Sequence, residues 1–109
     1  MTVYVTQELK GRDLSSALEF GELQVVVPAS MAITPGNIEE VHDTIIRVMA
    51  SFDGREDYIL LSGDPIVMGL VWQTAVEEAW DQYRICSLRA LRWDRIDSRY
   101  VQFNTQSRT

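Results

Sequence analysis

Ser62-Gly63-Asp64-Pro65 follows an apolar run and precedes a helical pattern, a position that could bind an anion. Gly63 would let the backbone approach a phosphate, and Ser62 offers a hydroxyl. The segment lacks G-x-G-x-x-G and the lysine of a P-loop, and Asp64 places negative charge where a phosphate would sit. The alternative is a tight turn before a helix capped by Asp64, with Pro65 in its first turn. The ligand interpretation predicts a small phosphorylated or nucleotide ligand at Ser62, Gly63 and Asp64.

Other residue types that could support catalysis or metal binding are isolated in the sequence. His42 is the only histidine, and Glu39 and Asp43 beside it do not complete the three or four ligands of a zinc site. Ser62 is not in a G-x-S-x-G segment, so a hydrolytic triad is not supported. Cys86 lies in an apolar run and is predicted to be a small core residue. We therefore predict no enzymatic activity, no metal and no cofactor.

Arginines and aromatic residues concentrate towards the end of the chain, where Arg92, Arg95 and Arg99 accompany Trp93 and Tyr100. This combination is typical of protein interfaces and also stacks single-stranded bases. A purely structural alternative is that Trp93 and Tyr100 are cross-strand neighbours that stabilise a hairpin. The interface interpretation predicts a partner-binding surface at Arg92, Trp93, Arg95 and Arg99.

The charge of the chain is segregated along its length. Residues 1–83 hold 14 acidic and 4 basic side chains, whereas residues 84–109 hold 2 acidic and 6 basic ones, and the net charge is -6. Binding of duplex DNA is not expected, because that affinity depends on neutralising phosphates. An acidic face could instead meet a basic partner surface, or the charge could serve solubility alone. The candidate acidic contacts are Glu39, Glu40, Asp43, Glu77, Glu78 and Asp81.

The composition indicates one globular domain over residues 1–109. Hydrophobic residues make up 46% of the chain, which argues against disorder, and no apolar run reaches the roughly 18 residues of a membrane span. The first residues show no signal-peptide pattern, and Cys86 is the single cysteine. These features predict a cytoplasmic protein, since a lone cysteine fits a reducing compartment.

Apolar periodicity predicts an α/β fold with the order β-β-α-β-α-β-β, a mixed sheet of about five strands and two amphipathic helices. The first helix is capped by Asn37 with Glu40 as capping-box partner, or begins at Thr34-Pro35. The second begins at Pro65, and the unit from Asp57 to Trp93 is a parallel crossover. Predicted strands are 2–7, 22–27, 57–62, 84–94 and 100–104; predicted helices are a short turn near 17–20, then 37–52 and 65–82.

Several details of packing are also predicted. A bulge near Arg89-Ala90 would restore the alternation of the fourth strand, and Val101 and Phe103 face the core. Gly69 would be retained because something packs closely against it. Trp72 and Trp80 share one face of the second helix, and either one outside the core would mark a partner or dimer contact. Residues 105–109 form a frayed tail.

Two segments resemble a family of small uncharacterised proteins of tailed bacteriophages. They are YILLSGDPIVMGLV at 58–71, in which a strand ends in G-D-P before an alanine-rich helix, and LRWDRIDSRYV at 91–101, which contains a W-D-R hairpin. The front segments 13–17 and 20–22 are similar too, so the resemblance covers about two-thirds of the chain. The helix here departs from the alanine-rich pattern. The resemblance implies a phage origin and no defined activity.

These observations together predict a small acidic interaction protein, encoded by a phage, that binds and modulates a host or phage protein. An acidic face could present negative charge as nucleic acid does. It could thereby bind a nucleic-acid-binding enzyme or an anti-phage defence complex such as CRISPR. The alternatives from other classes are the ligand-binding domain described above and a self-associating structural or accessory protein that forms a homodimer. Neither a membrane nor duplex nucleic acid is an expected partner.

Overall fold

The computed structural model describes residues 1–106 as a five-stranded sheet with two α-helices on one face. The α/β class, the mixed sheet and the order β-β-α-β-α-β-β are confirmed. In chain order, the elements are β1 (Thr2–Gln7), a 3-10 helix (Ser15–Glu19), β2 (Glu22–Val27), α1 (Ile38–Met49), β3 (Tyr58–Leu60), α2 (Pro65–Tyr83), β4 (Ser87–Asp94) and β5 (Arg99–Gln106).

The sheet has the strand order β2-β1-β3-β4-β5. The first four strands in this order are parallel, and β5 pairs with β4 in the antiparallel sense. The predicted parallel crossover from β3 through α2 to β4 and the antiparallel closing hairpin are therefore present. The short apolar strand β3 is central, as its sequence indicates.

The direction of each crossover explains which face it covers. The connections through α1 and α2 both move towards β5, and both helices pack on the same side of the sheet, where Val41, Ile45, Val71 and Ala75 enter one core. The connection from β1 to β2 moves the opposite way, and Ala17 of its 3-10 helix packs on the other side. Right-handed connections that run in opposite directions must lie on opposite faces.

The two long helices begin differently. The Asp64 side chain accepts a hydrogen bond from the Ile66 backbone N–H at 2.8 Å, so the predicted cap of α2 is confirmed, with Pro65 in its first turn. The predicted capping box of α1 is wrong, because Asn37 makes no side-chain cap bond. Its Oδ1 instead accepts from the Thr34 backbone N–H at 2.9 Å. Pro35 is not the first helical residue either, since α1 begins at Ile38.

Four predictions about the closing strands and α2 are wrong. The β4–β5 register runs without interruption, so there is no bulge near Arg89-Ala90. Cys86 precedes β4 and is exposed. Phe103 is 43% exposed rather than in the core, because no helix covers β5. Gly69 is exposed in α2, and an added Cβ would meet nothing within 4 Å.

The ends of the predicted elements shift only slightly elsewhere. Residues 105 and 106, predicted as part of a frayed tail, belong to β5, and residues 107–109 lie outside the described residues. Among residues 1–106, no helix is long and apolar enough to cross a membrane.

Candidate functional site

An apolar groove lies between α2 and β5 on the helix side of the sheet. It has a volume of about 290 Å³, and we call it the hairpin groove. It exists because α2 packs over the centre of the sheet and leaves the outer strand open. The residues that line it are Leu61, Trp72, Ala90, Arg92, Phe103 and Thr105.

The strand register explains why these side chains meet. Ala90 lies opposite Phe103, and Arg92 lies opposite Val101, so their side chains share the helix side of the sheet. The half-buried Trp72 of α2 forms the facing wall. The guanidinium carbon of Arg92 lies 4.8 Å from the centre of the Phe103 ring, a cation–π contact. The groove therefore combines two aromatic walls with one positive charge.

A second depression adjoins the groove at the carboxyl end of β4, and we call it the basic crevice. Its volume is about 580 Å³, and it shares Leu61 and Arg92 with the hairpin groove. The Asp94 carboxylate accepts from the Ile96 backbone N–H at 3.1 Å and so stabilises the hairpin turn. The remaining residues that line the crevice are Arg12, Trp93, Arg95 and Ile96.

The arginines of the crevice are available to an external anion. Arg12, Arg92 and Arg95 are exposed, and none of them lies within ion-pair distance of a carboxylate in residues 1–106. Of the predicted hairpin residues, Arg92, Trp93 and Arg95 come together here. Arg99, which pairs with Asp94 at the start of β5, lines neither depression.

Trp93 and Tyr100 also make the cross-strand contact that the structural alternative predicts. Trp93 and Tyr100 are cross-strand neighbours whose rings meet edge to face, with 5.2 Å between their centres. Tyr100 is buried on the side opposite the helices, whereas Trp93 is half-buried and reaches the basic crevice. Trp93 therefore both packs the sheet and lines the candidate site.

The predicted acidic residues all lie on the helix layer. Glu39, Glu40 and Asp43 are exposed on α1, and Glu77 and Asp81 are exposed on α2. None of the six, including the half-buried Glu78, forms an ion pair within residues 1–106. Arg47 is the only arginine or lysine in α1 or α2, so the outer surface of this layer is acidic.

Polar groups around Ser62-Gly63-Asp64 are engaged inside the molecule by Gln7. The Ser62 hydroxyl donates to the Gln7 carbonyl oxygen at 2.6 Å, and the Asp64 backbone N–H donates to the Gln7 side-chain oxygen at 2.7 Å. A Cβ at Gly63, which has φ of +90°, would overlap the Gln7 side chain. Gln7 thus occupies the space between the ends of β1 and β3, and a ligand there stays a prediction.

Carboxylates outside the helix layer have structural roles. Asp57 accepts from the backbone N–H groups of Thr2 and Asp53, both at 2.9 Å. Hydrogen bonds from Arg55 hold the pKa of the Asp53 carboxyl below its ordinary value. Burial, and secondarily the nearby charge of Asp57, raises the pKa of Tyr4. Within residues 1–106, no cluster of potential ligands could hold a metal ion.

Trp80 is the second tryptophan of α2 and lies outside the core. It is 47% exposed, and the Arg84 guanidinium carbon lies 5.4 Å from the centre of its ring. The expectation that an exposed tryptophan marks a contact therefore applies to Trp80, whereas Trp72 belongs to the hairpin groove.

A family model described as "Phage Pam3 gp32-like protein" matches residues 1–107. The chain belongs to the Phage Pam3 gp32-like protein family. This membership confirms the resemblance to a family of small phage proteins. No curated protein and no solved structure matches the chain.

Two residues at these sites were not identified from the sequence. Arg12 enters the basic crevice from the loop after β1, and Gln7 closes the space beside Ser62. Gln7 is the last residue of β1 and Arg12 lies in the loop that follows it. The carboxyl end of β1 lies beside that of β3 because the two strands are parallel neighbours. Both residues could have been identified if the sequence analysis had predicted that β1 lies next to β3.

Proposed function

We propose that this phage-family protein binds a protein partner through the hairpin groove and the basic crevice. The supporting observation is that the two depressions join at Leu61 and Arg92. An aromatic-walled groove therefore continues directly into a cluster of exposed arginines. Aromatic residues and arginine carry much of the binding energy at protein interfaces.

The chemistry of the surface defines the complementary segment of the partner. The groove walls, Trp72 and Phe103, suit an apolar side chain. Arg92 lies at the junction, and Arg12 and Arg95 beyond it suit carboxylates, which a guanidinium can bind through two parallel hydrogen bonds. The expected binding segment therefore carries an apolar residue followed by acidic residues, and the partner is a host or phage protein whose activity this contact modulates.

The acidic helix layer is a second candidate surface with a different partner. Six carboxylates without an ion pair in residues 1–106 would meet a basic surface. A nucleic-acid-binding enzyme or an anti-phage defence complex presents such a surface. Contact with it would involve Glu39, Glu40 and Asp43 of α1, together with Glu77, Glu78 and Asp81 of α2.

Charge-reversal substitutions distinguish binding through the hairpin groove and basic crevice from binding through the acidic helix layer. The tagged full-length chain is used to capture partners from bacterial lysate, with and without nuclease, and the captured protein is then purified and titrated. Arg92→Glu with Arg95→Glu should abolish binding at the hairpin, whereas Arg47→Glu, the same change on α1, should leave it intact. Binding through the helix layer would instead be lost in Glu39→Lys with Glu40→Lys.

Each outcome of this titration identifies or removes a surface. Loss of affinity in the hairpin variant alone supports the proposed function. Unchanged affinity in the hairpin variant overturns the proposed function. If the helix variant loses affinity at the same time, the partner binds the acidic helix layer instead. Both contacts should weaken with added salt, because exposed charges contribute to each.

A further inference from the structure

The outer edge of β5 presents main-chain groups to solvent. Leu61 donates its backbone N–H to the carbonyl oxygen of Leu91 at 3.0 Å, so the main chain of Leu91 faces β3. Alternate residues of a strand face opposite neighbours, so Ala90 and Arg92 face β5. Their partners, Phe103 and Val101, must face back towards β4. The main chain of Gln102 and Asn104 therefore faces outward.

One end of this outward row is already covered. The Tyr100 backbone N–H donates to the Ser16 hydroxyl of the 3-10 helix at 3.1 Å, which agrees with the direction deduced from Leu91. By the same alternation, the backbone N–H groups of Gln102 and Asn104 point away from β4, and within residues 1–106 no loop, turn or side-chain acceptor bonds them. The free part of the edge is thus centred on Phe103.

The features that normally prevent pairing at an edge strand are missing from the uncovered part of β5. Natural edge strands carry lysine, proline, a bulge or inward charges. The run 100–106 contains no charged residue and no proline, and its register with β4 is uninterrupted. The opposite edge strand, β2, begins with Glu22 and is followed by Pro28.

We propose that β5 pairs antiparallel with β5 of a second copy of the chain, with the two-fold axis at Phe103. Gln102 of each copy then pairs with Asn104 of the other, and the two pairs form four backbone hydrogen bonds. Phe103 faces its own counterpart, which covers a residue that is 43% exposed in the single chain.

A second copy suits this edge because a two-fold interface must be complementary to itself. Residues on the two sides of Phe103 are both amides, so Gln102 and Asn104 side chains face each other across the axis. No like charges become opposed between residues 100 and 106. The acidic side chains of each copy lie on the helices, away from the paired strands.

The pairing also joins the candidate sites of the two copies. Each hairpin groove has Phe103 on the wall nearest the axis, so the two grooves would adjoin above the paired strands. Partner binding as proposed above needs only one copy. The dimer is therefore an independent inference, and one can fail without the other.

Sedimentation equilibrium of the full chain tests the proposal between about 1 µM and 1 mM, where weak interfaces assemble. The mass should rise with concentration from 12.5 kDa towards twice that value. Phe103→Lys and Phe103→Asp should each weaken the dimer about tenfold or more, because like charges then face each other. An equimolar mixture of the two should restore it. Gln24→Lys, on the exposed surface of β2, is the matched control.

A main-chain variant tests the register itself. Asn104→Pro removes an outward N–H while leaving the bonds to β4 intact, so it should abolish pairing with an unchanged far-ultraviolet spectrum. A mass that stays at 12.5 kDa up to about 1 mM overturns the proposal. A dimer that persists in Phe103→Lys and Asn104→Pro also overturns it. Added salt should not dissociate this dimer, in contrast to a partner held by arginines.

Discussion

Two glycines should respond in opposite directions to the same substitution. Gly69→Ala places a methyl group on the exposed side of α2, where nothing lies within 4 Å. Alanine is favoured over glycine in a helix interior by about 1 kcal/mol, so the free energy of unfolding should rise by about that amount. The midpoint of thermal unfolding should rise by about 4 °C for a chain of this size.

Gly63→Ala should destabilise the protein for two reasons. Alanine is disfavoured in the left-handed region by about 1–2 kcal/mol, and Gly63 has φ of +90°. The new Cβ would also overlap Gln7, which cannot move away without releasing the Asp64 N–H, a loss of about 1 kcal/mol. The expected decrease in unfolding free energy is about 2–3 kcal/mol.

Urea unfolding of the wild type and both variants, followed by tryptophan fluorescence and circular dichroism, measures these changes. With slopes of about 1–3 kcal/mol per molar, the two midpoints should move apart by at least about 1 M. A lower midpoint for Gly69→Ala would mean that α2 is contacted or strained at that residue. Changes of the same sign in both variants would refute the reasoning, because the two sites differ only in backbone geometry and neighbours.

Two further predictions concern a cap and a buried phenol. Asp64→Ala should lower the unfolding free energy by about 1 kcal/mol through loss of the helix cap, and Asp64→Asn should retain most of it in the same urea assay. Because burial raises the pKa of Tyr4 above 10.0, the unfolded chain loses this proton first, and stability should decline as the pH rises past 10. Tyr4→Phe should reduce that decline, and equal pH dependence in both proteins would contradict the assignment.

Local patterns were sufficient to predict the elements, but not every contact between them. Asp64-Pro65 predicted the start of α2 correctly, because a cap and its target lie two residues apart. The capping prediction for Asn37 was wrong because the backbone N–H and the hydroxyl of Thr34 both donate to the Asn37 side-chain oxygen, the atom that a cap bond would use. Alternation placed Phe103 on the same face of the sheet as Val101, and that face is the helix side, yet it could not reveal that α2 stops short of β5 and leaves Phe103 exposed.

In the candidate site too, residues close in sequence could be placed together, whereas residues distant in sequence could not. Arg92, Trp93 and Arg95 lie within one hairpin, so their proximity follows from sequence spacing. Arg12 and Gln7 reach their positions only because β1 lies next to β3, although β2 and α1 intervene along the chain. Strand order depends on the direction of each crossover, and the periodicity of apolar residues does not indicate that direction.

The same strand order bears on which surface remains available for binding. Ligands of open α/β sheets bind where the strand order reverses, which here is between the carboxyl ends of β1 and β3. Gln7 fills that space, and its side-chain oxygen accepts from the Asp64 N–H, the group that an anion would otherwise meet. A ligand there would have to displace Gln7. The hairpin groove and basic crevice need no such rearrangement, since Phe103, Arg92 and Arg95 are already exposed, and this favours a protein-binding role over a ligand-binding one.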